Sequence, residues 1–215
     1  VLNTISFVVN VYRQYNQLDM CLADFRKAYP NNQALLIVDG CTIDYQAIAK
    51  RYNLKLLVYS RCKIIKFGGL WTHRYLDSAL KLFKPTDWLL KFDPDTVFNR
   101  PLSTYPDGYN LASSVPKTLF KSQEKCKLYG GVTLFRWSFA EKLVANKLFL
   151  KQKYINNPKY TMNWNGEMVT FQDRIFTDIL NNLNESVYDH SEISALYQAT
   201  PTDINTPAIF HPRKA

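Results

Sequence analysis

Four short apolar runs, separated by stretches of helical periodicity, constrain this chain more than any other feature. They are Ile5-Ser6-Phe7-Val8-Val9, Ala34-Leu35-Leu36-Ile37-Val38, Leu54-Lys55-Leu56-Leu57-Val58-Tyr59 and Trp88-Leu89-Leu90. Each is too short for a buried helix and rich in residues that suit a strand. Between them, Leu18, Cys21, Leu22 and Phe25 recur at helical spacing, which predicts a helix over 16–28 with Asn16 as its N-cap. A short helix follows Asp39-Gly40, with Ile43, Ala47 and Ile48 on one side, and another covers about 72–83. Strands alternating with helices make right-handed βαβ units and a mostly parallel sheet.

Ligands of such sheets gather beyond the carboxyl ends of the strands. Acidic residues stand at those ends. Asp39-Gly40 closes the second run, and Phe92-Asp93-Pro94-Asp95-Thr96 follows the fourth. Alternate residues of an extended chain share a face, so Asp93 and Asp95 can converge on one point. Two anions placed together call for a cation. Hard divalent ions such as Mg²⁺ and Mn²⁺ take carboxylate oxygens and keep positions open for phosphates. The competing reading is an Asp-Pro-Asp turn that ends a strand.

The formal net charge of +9 suits an anionic partner: a nucleotide diphosphate, an acidic membrane surface or nucleic acid. Lysines gather at Lys117, Lys121, Lys125 and Lys127, and again at Lys142, Lys147, Lys151 and Lys153. No zinc-finger or RNA-binding signature accompanies them, so nucleic acid is not expected. The 47% hydrophobic content describes a globular chain. No apolar run approaches the roughly 20 residues that span a bilayer. Cys21, Cys41, Cys62 and Cys126 form no zinc pattern and read as reduced thiols, which points to a cytoplasmic protein, with peripheral contact to an anionic membrane allowed by its charge. The chain begins at Val1 rather than Met, which leaves room for upstream sequence, an anchor included.

The second half is less regular. Leu128 to Phe135 reads as a strand interrupted by Gly130-Gly131. Ser138 to Glu141 has the form of a capping box opening a helix through about Phe149. The stretch 151–168 reads as a loop. Thr170 opens a further helix with Phe171, Ile175, Ile179 and Leu183 on one face. No linker or repeat divides the chain, so 1–215 is one domain.

With these residues in view, the chain resembles the GT-A glycosyltransferases, especially those similar to family 2. The resemblance covers roughly 5–178. It implies an αβα sandwich, with about 1–100 as the nucleotide-sugar-binding half and about 101–215 as the acceptor and catalytic half, in which Asp93 and Asp95 form a DxD motif. That motif would hold Mn²⁺ or Mg²⁺ on a UDP- or GDP-sugar. Asn10 and Tyr12 match the loop bordering the nucleoside, and Asp39 the residue that bonds the base or ribose. Gly69 and Arg74 match the segment beside the nucleotide, and Gly130 and Gly131 the loop below the donor sugar. Gln172-Asp173 matches a Glu-Asp pair at a helix start, which makes Asp173 the expected base, with Glu167 as the alternative. His211 matches a late metal-binding histidine, with Arg213 and Lys214 near the diphosphate. No Gln-x-x-Arg-Trp motif is present, which argues against a processive synthase.

The function expected is transfer of a sugar to the hydroxyl of a glycan, lipid-linked or protein acceptor. Inversion follows if Asp173 is the base, and retention is the alternative. A haloacid-dehalogenase-type phosphatase with Asp93 as nucleophile, and an inactive sugar-binding module, compete with it. Several candidates have structural counterparts: His211 as a packed histidine, Arg74 as a surface residue, Trp164 as a loop anchor instead of a sugar platform, and Asp173 as a helix cap. Phe210-His211 is expected to be extended, because a proline follows His211, with Ile209 and Phe210 as anchors, and the tail 209–215 to become ordered only with donor.

Overall fold

The computed structural model describes residues 4–40, 44–60, 68–114, 127–128, 130–154, 157–164, 167–170, 172–195 and 207–211, with backbone alone at 162–164 and 167–170. Strand and helix alternate as the apolar runs predict: β1 (Ile5–Val11), α1 (Tyr15–Ala28), β2 (Ala34–Asp39), α2 (Gln46–Arg51), β3 (Lys55–Tyr59), α3 (Gly68–Leu82) and β4 (Trp88–Phe92). These strands are parallel, in the order β3-β2-β1-β4. Beyond β4 the direction changes. β7 (Val132–Arg136) pairs antiparallel with β4, β6 (Leu111–Ser113) antiparallel with β7, and β10 (Tyr188–Asp189) parallel with β6. The result is a seven-stranded, mostly parallel sheet.

Both faces are covered. Phe7, Val9, Leu36, Leu90 and Phe92 pack against α1. Val8, Leu35, Ile37, Leu89 and Phe135 pack against α3, α4 (Trp137–Ala145) and α5 (Gln172–Asn182). The expected αβα sandwich is therefore present. One detail of the first layer matters for the site. Phe92 lies before the Asp93–Asp95 segment and Phe98 after it, in β5 (Val97–Phe98). Their ring centroids are 5.0 Å apart, within one cluster with Phe7, Phe25 and Tyr29. Both ends of the acidic turn are thus pinned in the core.

Several local expectations are corrected. The N-cap of α1 is Gln14 and no side chain caps it, so Asn16 is a residue of the first turn. Helix α3 starts at Gly68, ahead of the expected 72. The strand expected from Leu128 begins only at Val132, after the glycine pair. Ser138 and Glu141 form no capping box: α4 begins at Trp137, and Glu141 accepts a hydrogen bond from Trp137 Nε1 at 3.1 Å. That helix stops at Ala145, and a separate 3-10 turn spans Leu148–Leu150. The expected loop 151–168 contains two more 3-10 turns and most of an antiparallel hairpin, β8 (Thr161–Trp164) with β9 (Glu167–Thr170). Its signal was present as Asn165-Gly166, a strong hairpin dipeptide. Helix α5 starts at Gln172, so Thr170 stays in β9, and Phe171 lies outside the described residues.

Candidate metal centre and active site

Asp93-Pro94-Asp95-Thr96 is a turn, closed by a 3.1 Å bond from Thr96 N to Asp93 O. Proline in second position presets the backbone for such a turn. The turn and convergence readings therefore both hold: this turn presents two carboxylates to one side. The third partner arrives from far along the chain. β12 (Ile209–His211) pairs antiparallel with β5, matching Ile209 to Phe98 and Phe210 to Val97, and pairs parallel with β11 (Ile193–Ala195). This sheet carries the imidazole of His211 to 3.2 Å from Asp95 and 3.4 Å from Asp93. Phe210 and His211 are extended as expected. The expectation that donor must order this segment is corrected for 209–211, which are held by strand pairing within the chain.

Ligand atoms of Asp93, Asp95 and His211 lie within 4.8 Å of one another. Both oxygens of Asp95 and Nε2 of His211 are buried with no hydrogen-bond partner among the described residues. The close approaches are ion pairs without hydrogen-bond geometry. Burial works to lower the His211 pKa, but the two carboxylates outweigh it and raise it to about 9. Buried polar atoms without a hydrogen bond are costly, and a cation would satisfy them. An imidazole with two carboxylates suits Mn²⁺ or a similar ion.

The glycine pair lies against this centre. A Cβ on Gly131 would come within 2.5 Å of the His211 ring, and one on Gly130 within 2.3 Å of Asp173 Oδ1. Gly130 N donates to that oxygen at 3.1 Å. Asp173 is therefore turned toward the glycine loop from the first turn of α5. Burial raises its pKa to about 6, opposed by the Gly130 N–H and by Lys91.

Lys91 was not singled out in the sequence. It is 4% exposed, and its Nζ donates to Asp93 Oδ1 at 2.6 Å and to Gly130 O at 2.7 Å. Its signal was its position as the lone charge inside Trp88–Phe92. Glu192 was also missed. Its carboxylate accepts from the backbone N–H groups of Ser103 and Thr104, both at 2.9 Å, from their hydroxyls, and from Arg100. Its own carbonyl holds Ile209 N at 2.9 Å, at the start of the strand bearing His211.

The remaining candidates are distributed as follows. Asn10 is buried near the end of β1, with Oδ1 unpartnered among the described residues, and Tyr12 follows that strand, its ring 5.1 Å from the Arg13 guanidinium. Asp39 is the buried last residue of β2. Arg74 stacks over Tyr59 at 5.1 Å, with Nη1 buried and unpartnered among the described residues. Gly69 has a packing role: a Cβ there would meet Phe149 O at 2.4 Å. Glu167 and Trp164 lie in the hairpin, beyond what the described side chains cover. Arg213 and Lys214 lie outside the described residues, as do Lys117, Lys121 and Lys125. Of the other lysines, Lys153 pairs with Asp178 at 2.6 Å and Lys142 with Glu185 at 3.9 Å. No described helix is long and apolar enough to cross a membrane.

No family model and no curated protein matches the chain. Solved structures do. The galactosyltransferase LgtC, in complex with donor and acceptor sugar analogues, is 16% identical with a TM-score of 0.56, covering 97% of this chain and 87% of that one. The WbbM bifunctional glycosyltransferase in its apo form is 12% identical with a TM-score of 0.53, covering 98% of this chain and 46% of that one. The fold is GT-A-like. A third likeness is to the mannosyltransferase PcManGT from Pyrobaculum calidifontis in complex with GDP-Man and Mn²⁺, at 11% identity and a TM-score of 0.49, covering 66% of this chain and 47% of that one. The chain thus spans less than half the length of WbbM and of PcManGT. At these identities the likeness is one of architecture, and it singles out no family within the GT-A-like fold.

Proposed function

We propose that this chain is a metal-dependent glycosyltransferase that moves a sugar from a nucleotide diphosphate to an acceptor hydroxyl. The observation that carries the reading is the cluster of Asp93, Asp95 and His211 at the carboxyl end of β4, in which the Asp95 oxygens and His211 Nε2 are buried without a hydrogen bond among the described residues. Asp95, His211 and one oxygen of Asp93 would hold Mn²⁺ or Mg²⁺. Bound there, the ion would supply charge neutralisation for the departing diphosphate. Asn10, Tyr12 and Asp39 would receive the nucleoside at the ends of β1 and β2, and Arg74, Arg213 and Lys214 would meet the phosphates. Gly69 enters this set only through the family resemblance, because packing already accounts for it.

Asp173 would take the proton from the acceptor hydroxyl. An elevated pKa brings a carboxylate closer to the range in which a general base is effective at neutral pH. Direct attack assisted by this base inverts the anomeric carbon. Glu167, in the neighbouring hairpin, is the alternative base. The test is a screen of UDP- and GDP-sugars with and without Mn²⁺, with the anomeric configuration of any product read by NMR. Metal-independent binding would overturn the metal reading. A product that retains the donor configuration would overturn the role of Asp173 while leaving the metal centre intact.

A further inference from the structure

Lys91 is a buried charge to which the mechanism above gives no task. Lys91 lies inside the central sheet, beside Val8 of β1 and Thr133 of β7. A lysine in such a place is expensive unless it is paired and hydrogen-bonded. Here its ammonium donates to Asp93 Oδ1 at 2.6 Å and to Gly130 O at 2.7 Å, with Gly131 O at 3.5 Å. These contacts divide the work of Asp93 between its two oxygens. Oδ1 is taken by Lys91, and Oδ2 faces His211 at 3.4 Å. They also fix Gly130, whose N–H holds Asp173 Oδ1 at 3.1 Å. The two halves of the candidate site, metal ligands and base, thus meet through one lysine and one glycine.

We propose that Lys91 is a positioning residue that sets both halves. It withholds Asp93 Oδ1, so that this carboxylate meets the ion through one oxygen. It locks the Gly130 carbonyl and so the orientation of Asp173. Its positive charge also weakens the hold on the ion, leaving affinity to be completed by the donor diphosphate. This inference rests on the metal-dependent reading above.

The charge and packing roles of Lys91 make opposite predictions for metal affinity. A lysine that only supported the fold would, when removed, loosen the ligands and weaken Mn²⁺ binding. Removal of a neighbouring positive charge strengthens attraction for a cation. The experiment titrates Mn²⁺ alone, without nucleotide, by electron paramagnetic resonance, into wild type, Lys91→Gln and Lys91→Met. Melting is followed in parallel, and transfer is measured with the sugar nucleotide identified by the screen. Lys91→Gln keeps a donor for Gly130 O, which covers the case in which Lys91→Met does not fold. The expected result for the folded variants is Mn²⁺ affinity higher by about tenfold or more. Transfer should fall by about 10²-fold, the cost of small misplacements in an active site. Lys91→Arg should keep the weaker Mn²⁺ affinity of wild type without restoring transfer. Equal or weaker Mn²⁺ binding in folded Lys91→Gln, or transfer at the wild-type rate, would overturn the proposal. Failure of the wild type itself to bind Mn²⁺ would remove the metal reading first, and this inference with it.

Discussion

A Cβ placed on Gly131 would come within 2.5 Å of the imidazole of His211, so the second glycine of the pair is the space in which the third candidate ligand stands. Gly131→Ala should therefore displace the ring and act like His211→Ala while altering no ligand. Mn²⁺ affinity should fall about 10–100-fold, as for disturbance of groups that orient ligands, with little change in melting temperature. Calorimetry on both variants checks this; unchanged affinity in Gly131→Ala would place the ring elsewhere.

Gly69 gives the contrasting case. The atom its Cβ would meet at 2.4 Å is a backbone carbonyl, Phe149 O, which cannot swing aside as a side chain can. Gly69→Ala should cost about 1–3 kcal/mol by overpacking and leave nucleotide affinity unchanged in the folded fraction. Denaturant unfolding beside donor titration separates the two effects. A weaker donor constant at unchanged stability would return Gly69 to the nucleotide site.

Asp95→Ala should abolish the dependence of UDP or GDP binding on Mn²⁺. In chelator no ion bridges the turn and the diphosphate, so wild type should bind nucleotide poorly while the variant binds weakly with or without metal alike. Equal wild-type affinities in both conditions would sink this expectation.

Asp173→Asn should separate activity from stability. Loss of a general base costs about 10²–10⁴-fold in rate. The wild-type rate should fall as pH drops through about 6, the value to which burial raises this carboxyl. The same shift means that folding disfavours the charged form. The protein therefore loses stability through this group as pH rises from about 4 to about 6. Asparagine removes that loss and still accepts from Gly130 N. Metal-free Asp173→Asn should melt no lower than wild type at pH 8, and its residual rate should lack the acid limb. A full rate in Asp173→Asn beside a dead Glu167→Gln would transfer the base role to Glu167.

Glu192 predicts the opposite pH behaviour. Burial alone would raise its pKa, but hydrogen bonds from Arg100, Ser103 and Thr104 hold it at about 2. Its stabilisation is present above the ordinary value of 4.5 and is lost as pH falls toward about 2. Glu192→Gln should flatten the melting profile across that window. It should also cost about 1–3 kcal/mol for hydrogen bonds left imperfectly made. The substitution leaves the backbone carbonyl of residue 192 in place, and with it the bond to Ile209 N, so Mn²⁺ affinity of the folded variant should stay close to wild type.

The parts legible in the sequence were those governed by local pattern. The runs at Ile5, Ala34, Leu54 and Trp88 became β1 to β4, and the acidic residues stood at strand ends because ordinary strand geometry put them there. What the sequence did not reveal was set by distant pairing or by a small shift of register. Nothing near Val97 announces that β12 will pair with it, so His211 reached Asp93 only through a family resemblance. The Ser138–Glu141 pattern failed because the N-cap lies two residues earlier, at Arg136. Lys91 was hidden by its surroundings: inside an apolar run it reads as an interruption, and only the positions of Gly130 and Asp93 show that it is satisfied.

The sheet β11-β12-β5 has a genetic consequence. His211 lies on β12, yet every strand of the seven-stranded sheet is complete by Asp189. A stop codon shortly after Ala195 would spare all of those strands and remove one candidate ligand, together with the buried Ile209 and Phe210. Nonsense alleles in that interval should yield protein that keeps the strands of the central sheet but is less stable and catalytically silent, and supplying the missing strand in trans as a peptide offers a route to complementation.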